Sequence, residues 1–188
     1  MGGHAPLAAA STGGKFAFPD DARETPDSQV VIYSYPGYTM IWEHAMGHGT
    51  GPSPEGDPAG VAYYGSEGLM IVTPGGWRVY PESEGTMIRD RAKPRRYKGA
   101  GVPKQASFGD PHAAHVKNFL ECMRSRKLPN ADVGICQNTM LACHLGNIAF
   151  RTGHHVHWDD VRKEITGDSE AQRLVSREYR SPWRLPSA

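Results

Sequence analysis

No run of the chain approaches the roughly 18 consecutive apolar residues that a membrane-spanning helix requires. The opening MGGHAPLAAAS lacks the basic region and the long apolar run of a secretion signal. No membrane partner is expected. Chemistry is narrowed by further absences. No G-x-G-x-x-G turn follows a strand pattern, and neither a Walker loop nor a G-x-S-x-G nucleophile turn occurs. Gly47, Gly49 and Gly51 alternate, but prolines flank them and no helix pattern follows. Cysteine is scarce: Cys122, Cys136 and Cys143 make an odd count of three without zinc spacing. Such usage fits a reducing compartment, and a cytoplasmic location is the expectation. An excess of one charge is missing too, with 21 Lys and Arg against 20 Asp and Glu. Only Arg89 to Lys98 (RDRAKPRRYK) is a basic run, and a solvated loop explains it as well as nucleic acid does. No nucleic-acid partner is expected.

What is present reads as one domain. A chain of 188 residues buries about 70% of its unfolded surface and needs no disulfide or metal to hold a core. Two helices carry the clearest patterns. Asp110 is a good N-cap with Pro111 at the first helical position, and Val116, Phe119, Leu120 and Met123 then recur at i, i+3, i+4, i+7. Pro129-Asn130 ends that helix. A second stripe holds Leu141, His144, Leu145 and Ile148, and Gly153 closes it. Both stripes need a sheet to cover. Candidate strands are Lys15 to Phe18, Gln29 to Tyr35, Tyr38 to His44, Val61 to Tyr64, Leu69 to Thr73 and Trp77 to Tyr80. Pro36-Gly37 suits a type II turn between the second and third of these. The Gly- and Pro-dense stretch 46–60 is a long loop, a feature that is often functional. Residues 81–109 read as irregular, with a linker at Gly99 to Gly109. Short extended pieces at His157-Trp158 and Ile165 follow, and Asp168 caps a last helix. Trp183 is expected to anchor the tail.

Strands followed by helices predict an α+β fold: an open, mostly antiparallel sheet with helices on one face. Residues 1–11 are expected to be irregular, 12–185 to form a single substrate and oligomerisation domain, and 186–188 to be a tail. Tyr33, Tyr35, Tyr38 and Trp42 are many aromatics for a wet sheet face, so the second face is expected to be covered by a partner.

Nine histidines raise the question of a metal. His44 and His48 are four apart, but the glycines between them disfavour the helix on which such a pair would share a face. His112 and His115 lie off the apolar stripe of the first helix. His154, His155 and His157 follow a helix end, where an imidazolium suits the dipole. His144 lies on the apolar stripe, either as a hydrogen-bonded core histidine or as a polar group reaching a ligand. Trp42, Glu43 and His44 end a strand that opens into the long loop, a place where substrate contacts gather. Glu43 and Glu67 are conceivable paired carboxylates, with nothing in the spacing to fix their separation. No catalytic residue, metal ligand or cofactor-binding residue is assigned.

The residues do resemble a family. GGKFAFPDDARETPDSQVVIYSYPGYTMIWEH, YYGSEGLMIVTPGGWRVYPE, HVKNFLECMRSRKLPNADV, CHLGNIAFRTGHHVHWD and SREYRSPWRL together look like the C-terminal domain of bacterial Gfo/Idh/MocA oxidoreductases, over roughly residues 12–185. The resemblance implies an open antiparallel sheet with helices on one side. It implies a parent whose N-terminal Rossmann domain binds NAD or NADP, with a Glu-Lys-Pro segment there and an Asp-x-x-x-His segment at the start of the second domain. None of these three is present; Asp110 to His115 has its His five residues after the Asp and in the wrong place. The expectation is a substrate-side and oligomerisation domain of a sugar or polyol dehydrogenase. It would be a fragment of a complete enzyme and inactive alone, with a Rossmann domain as partner and homo-oligomerisation through the sheet face. Trp42, His44, Tyr64 and His144 are the candidates for lining the sugar pocket. The alternatives are a split-enzyme subunit, a stand-alone carbohydrate-binding or assembly module and, further off, a metal-dependent hydrolase.

Overall fold

A computed structural model describes residues 4–47, 59–66, 68–81 and 109–184, together with the backbone of 102–106. The chain divides into two compact units, one of residues 1–47 and 122–188 and the other of residues 48–121.

The first unit is built on a five-stranded sheet of order β3-β2-β1-β8-β9, every neighbouring pair antiparallel. Its strands are β1 (Ala8–Gly14), β2 (Ser28–Tyr35), β3 (Tyr38–Ala45), β8 (Val156–Asp159) and β9 (Glu164–Thr166). Gly37, at φ 86°, supplies the left-handed residue of the β2–β3 turn. Helix α2 (Val133–Thr152) lies on this sheet, and α3 (Ser169–Arg173) packs against β9 and α2. Asp132 caps α2 by accepting the Gly134 N–H at 2.9 Å. Gly153, at φ 70°, closes the helix with its N–H on the Ala149 carbonyl.

The core lies where α2 meets the strands. Ala142, Leu145, Ile148 and Ala149 of α2 pack with Ala9, Val31, Tyr33, Val156, Ile165 and Ala171. Small residues set the spacing. A Cβ on Gly146 would overlap the Tyr33 hydroxyl and press on Val31 Cγ1 at 3.1 Å, so only glycine lets the helix sit this close. Burial pushes the Tyr33 phenol up to about 12.

The second unit holds a four-stranded antiparallel sheet of order β4-β5-β6-β7. Its strands are β4 (Val61–Gly65), β5 (Gly68–Thr73), β6 (Gly76–Pro81) and β7 (Val102–Ala106). Helix α1 (Pro111–Ser125) contains the division between the units.

The α+β class and the antiparallel pairing agree with the expectation, and several particulars differ. The strands form two sheets, since β3 and β4 do not pair. Lys15 to Phe18 is not a strand. The strand is β1, starting at Ala8 inside the stretch expected to be irregular. Its alanines have little β-propensity, but small side chains are what the ground beneath α2 requires, and packing outweighs propensity. Strand β7 falls in the expected linker. Tyr33, Tyr35 and Trp42 share the side of the sheet that carries α2, because Val31 pairs with Trp42 and Tyr33 with Met40. Tyr38 opposite Tyr35 stacks on it at 4.7 Å. The outer face therefore carries none of these four aromatics, and Ala10, Ile32 and Ile41 form one aliphatic cross-strand row on it. The stripe of α1 is exposed, Phe119 by 55%, and Trp183 is exposed rather than anchored. The loop 46–60 lies mostly outside the described residues, as does Arg89 to Lys98.

Candidate functional site

Two of the residues expected to line a pocket come together on β3. Strand alternation puts Trp42 and His44 on one side, and their rings stack at 5.7 Å with planes 13° apart. Trp42 is 44% exposed, and His44 is half-buried. Across the ladder His44 faces Gln29, which is buried and donates from Nε2 to Ser11 Oγ at 3.0 Å. Ser11 in turn donates to the Val30 carbonyl at 3.3 Å. The pair thus stands on a hydrogen-bonded floor. An indole face accepts the C–H face of a sugar, and an imidazole beside it offers directional hydrogen bonds to hydroxyls.

The end of β3 is fixed by Asp27. Its carbonyl accepts the Met46 N–H at 2.9 Å, and its own N–H donates to the Gly14 carbonyl at 3.1 Å. Its buried carboxylate accepts the N–H groups of Phe18, Phe16 and Ala17 at 2.8, 3.0 and 3.0 Å, and the Ser28 hydroxyl at 2.9 Å. Burial alone would push this carboxyl up. The Phe18 and Phe16 N–H groups, the Ser28 hydroxyl and the Ala17 N–H outweigh it and hold the group down at about 2. This is why Lys15 to Phe18 forms no strand: its backbone donors are spent on Asp27. The same loop is pinned by Lys15 Nζ on the Asp21 carbonyl and by an Arg23–Asp21 ion pair at 2.7 Å. Arg23 also lies over the Phe18 ring and donates to Met46 Sδ at 3.0 Å. Sequence reading passed over Asp27, because a lone Asp ahead of a strand carries no periodic signal.

The other two candidates stand elsewhere. Tyr64 lies on β4 in the second unit and is 84% exposed. His144 is exposed on α2, which corrects its placement on the apolar stripe. The buried side is Ala142, Leu145, Gly146, Ile148 and Ala149, and one residue before Leu145 turns the ring about 100° away from that side. Glu43 lies on the opposite side of β3 from Trp42, while Glu67 and His48 fall outside the described residues.

Of the histidines after α2, His154 has a partner that spacing did not reveal. Its Nδ1 lies 2.7 Å from Asp168 Oδ2. Asp168 also caps α3 as expected, accepting from Glu170 and Ala171 N–H, and the Ala171 N–H and His154 together hold its carboxyl below the usual range. His155 and His157 approach at 4.6 Å between ring centres. Among the described residues no group of three His, Cys, Asp or Glu is arranged to hold a metal ion, and no helix is long and apolar enough to cross a membrane.

Comparison with known families gives one match. Residues 101–185 match the family described as "Oxidoreductase family, C-terminal alpha/beta domain". No curated protein matches the chain.

Proposed function

We propose, from the match of residues 101–185 to the C-terminal domain of an oxidoreductase family, that this chain is the substrate-side and oligomerisation domain of an NAD(P)-dependent enzyme acting on a sugar or polyol. The family match is the observation that carries this reading. The stacked Trp42 and His44 support it as a wall for a hydroxylated substrate. The aliphatic row Ala10, Ile32 and Ile41 supports an outer sheet face that packs against another subunit.

The residues of this chain do not fit a nicotinamide dinucleotide. Its sequence has no glycine turn to cradle a pyrophosphate. Among the described strands every pair is antiparallel, so the parallel strand–helix–strand unit that presents such a turn does not occur there. Nucleotide and hydride chemistry belong, in this reading, to a Rossmann domain on another segment or subunit. The present chain contributes to substrate orientation and assembly.

Titration of the 188-residue chain with NADH and NADPH, followed by nucleotide fluorescence, is expected to show no saturable binding. Aldoses and polyols at millimolar concentration are expected to shift the NMR signals of the Trp42 indole and the His44 imidazole. Saturable micromolar binding of either nucleotide would overturn the assignment.

A further inference from the structure

The run HHVH, His154 to His157, leads from the end of α2 into β8, and the fold gives its three histidines different surroundings. Val156 is 1% exposed and lies in the core with α2. Side chains alternate along a strand, so His155 and His157 stand on the opposite face of the sheet. Both are exposed. Their ring centres lie 4.6 Å apart, with planes tilted by 47°. Residues two apart on a strand have Cα atoms about 6.6 Å apart, so the two rings lean toward one another. The tilt is neither that of a stack nor that of an edge-to-face pair. Among the described residues neither ring has a hydrogen-bond or ion-pair partner, whereas His154 is bound to Asp168 at 2.7 Å.

The backbone that carries the pair is held at both ends. His157 pairs with Ala8 of β1 on one side and with Thr166 of β9 on the other. Ahead of His155, Gly153 closes α2, the His154 N–H donates to Thr152 Oγ1 at 3.2 Å, and the His154 ring is tied to the carboxylate that caps α3. The two imidazoles are therefore presented from fixed positions, and a ligand that takes both need not order them first.

We infer that His155 and His157 form a chelating site for a divalent transition-metal ion, with water completing the shell. Neutral imidazole is the commonest side-chain ligand of such ions and suits copper, nickel and zinc. Two metal–nitrogen bonds of about 2.0–2.1 Å, set at an angle of about 90–110°, put the two ring centres about 4.5–5.2 Å apart. The observed 4.6 Å lies in that range. With two protein donors the site suits ions that accept a largely aqueous tetragonal or octahedral shell, so affinity follows copper(II) over nickel(II) over cobalt(II). Zinc in structural sites takes four protein ligands and is held less tightly here. The site is independent of the Trp42–His44 stack, which lies on the other face of this sheet, with β1 and β2 between β3 and β8. It shares a face with the aliphatic row Ala10, Ile32 and Ile41 but not a strand, so either reading can fail without the other.

Titration of the full chain with nickel(II) alone, followed by NMR, tests this. Paramagnetic broadening is expected at His155, Val156 and His157, to reach Ala8 and Thr166 across the ladder, and to saturate in the micromolar range. His155→Ala and His157→Ala are each expected to weaken this binding by at least about tenfold, because the second imidazole acts as an intramolecular ligand once the first has bound. Both rings are exposed, so neither substitution is expected to alter the circular dichroism spectrum. His112→Ala, on α1, is expected to leave the affinity unchanged. Signals of residues 155–157 that stay sharp, or broaden without saturating below millimolar nickel, overturn the proposal. So does an affinity that His155→Ala or His157→Ala leaves untouched, and so does an equal loss in His112→Ala, which would mark general capture by histidines. The broadening map of the parent chain needs no variant and decides the matter even where a substitution disturbs the fold.

Discussion

Helices α1 and α2 begin from similar patterns and end in different surroundings. Both carry apolar residues at helical spacing, and both are capped by an aspartate, Asp110 bonding the His112 N–H and Asp132 the Gly134 N–H. Yet Leu145 of α2 is 1% exposed, whereas Val116, Phe119, Leu120 and Met123 of α1 are all exposed. Periodicity settles that a segment is a helix; it does not settle what the helix rests on. The difference lies in the small residues. Ala142, Gly146 and Ala149 lie on the buried side of α2 and let the helix settle onto Val31 and Tyr33. The four stripe residues of α1 are all larger than these, and among the described residues nothing buries them.

The strongest way to break this contrast is to truncate one leucine on each helix. Leu145→Ala leaves a cavity in the close-packed centre of the core and is expected to cost about 3 kcal/mol. Leu120→Ala removes side chain from an exposed stripe and is expected to stay within about 0.5 kcal/mol. Urea unfolding of both variants measures the difference. Equal losses would mean that the α1 stripe is covered in solution, and the contrast would collapse.

A smaller effect is expected at Gly146. Gly146→Ala usually favours a helix by about 1 kcal/mol. Here the added methyl meets the Tyr33 hydroxyl and both Val31 methyls. Overpacking of this kind costs about 1–3 kcal/mol, so the net change is expected to be a loss of about 1 kcal/mol. In Gly146→Ala combined with Tyr33→Phe, removal of the hydroxyl is expected to return part of that loss, as a double-mutant cycle would show. A stabilised Gly146→Ala would mean that α2 does not sit so close.

These cases indicate what could be read in advance. The β2–β3 hairpin, the β4–β5–β6 meander, the cap at Asp168 and the closing Gly153 all leave local signals, and each formed where expected. β1 did not announce itself, because AAASTGG is chosen for what packs on it rather than for strand preference. His144 was misplaced for a related reason. In ACHLGNIA the glycine and alanines define the buried side, and counting only large apolar residues rotates the stripe toward His144. Of the candidate site, the Trp42–His44 pairing follows from alternation alone. Asp27 could not be found this way, since its partners are backbone N–H groups of a loop whose shape exists only because Asp27 is there.

The mildest test concerns the floor on which α2 rests, and it bears on α2 without bearing on α1. Asp27 ties the ends of β1, β2 and β3 through its backbone and gathers Phe16, Ala17 and Phe18 through its carboxylate. Its folded value of about 2 lies below the ordinary 3.8. A group depressed on folding contributes stability in full above its unfolded value, and loses it as pH falls through the folded one. The Asp27 contribution is therefore expected to be complete above pH 4 and to fade toward pH 2. Asp168 is lowered as well and adds to the acid slope, so the measurement is the gap between the parent chain and Asp27→Asn in urea at successive pH values. That gap is expected to narrow as pH drops from 4 toward 2, because the asparagine cannot titrate and cannot serve three donors as an anion does. A gap independent of pH would show that Asp27 acts through its shape and not its charge. The floor under α2 would then be held by the ladder alone.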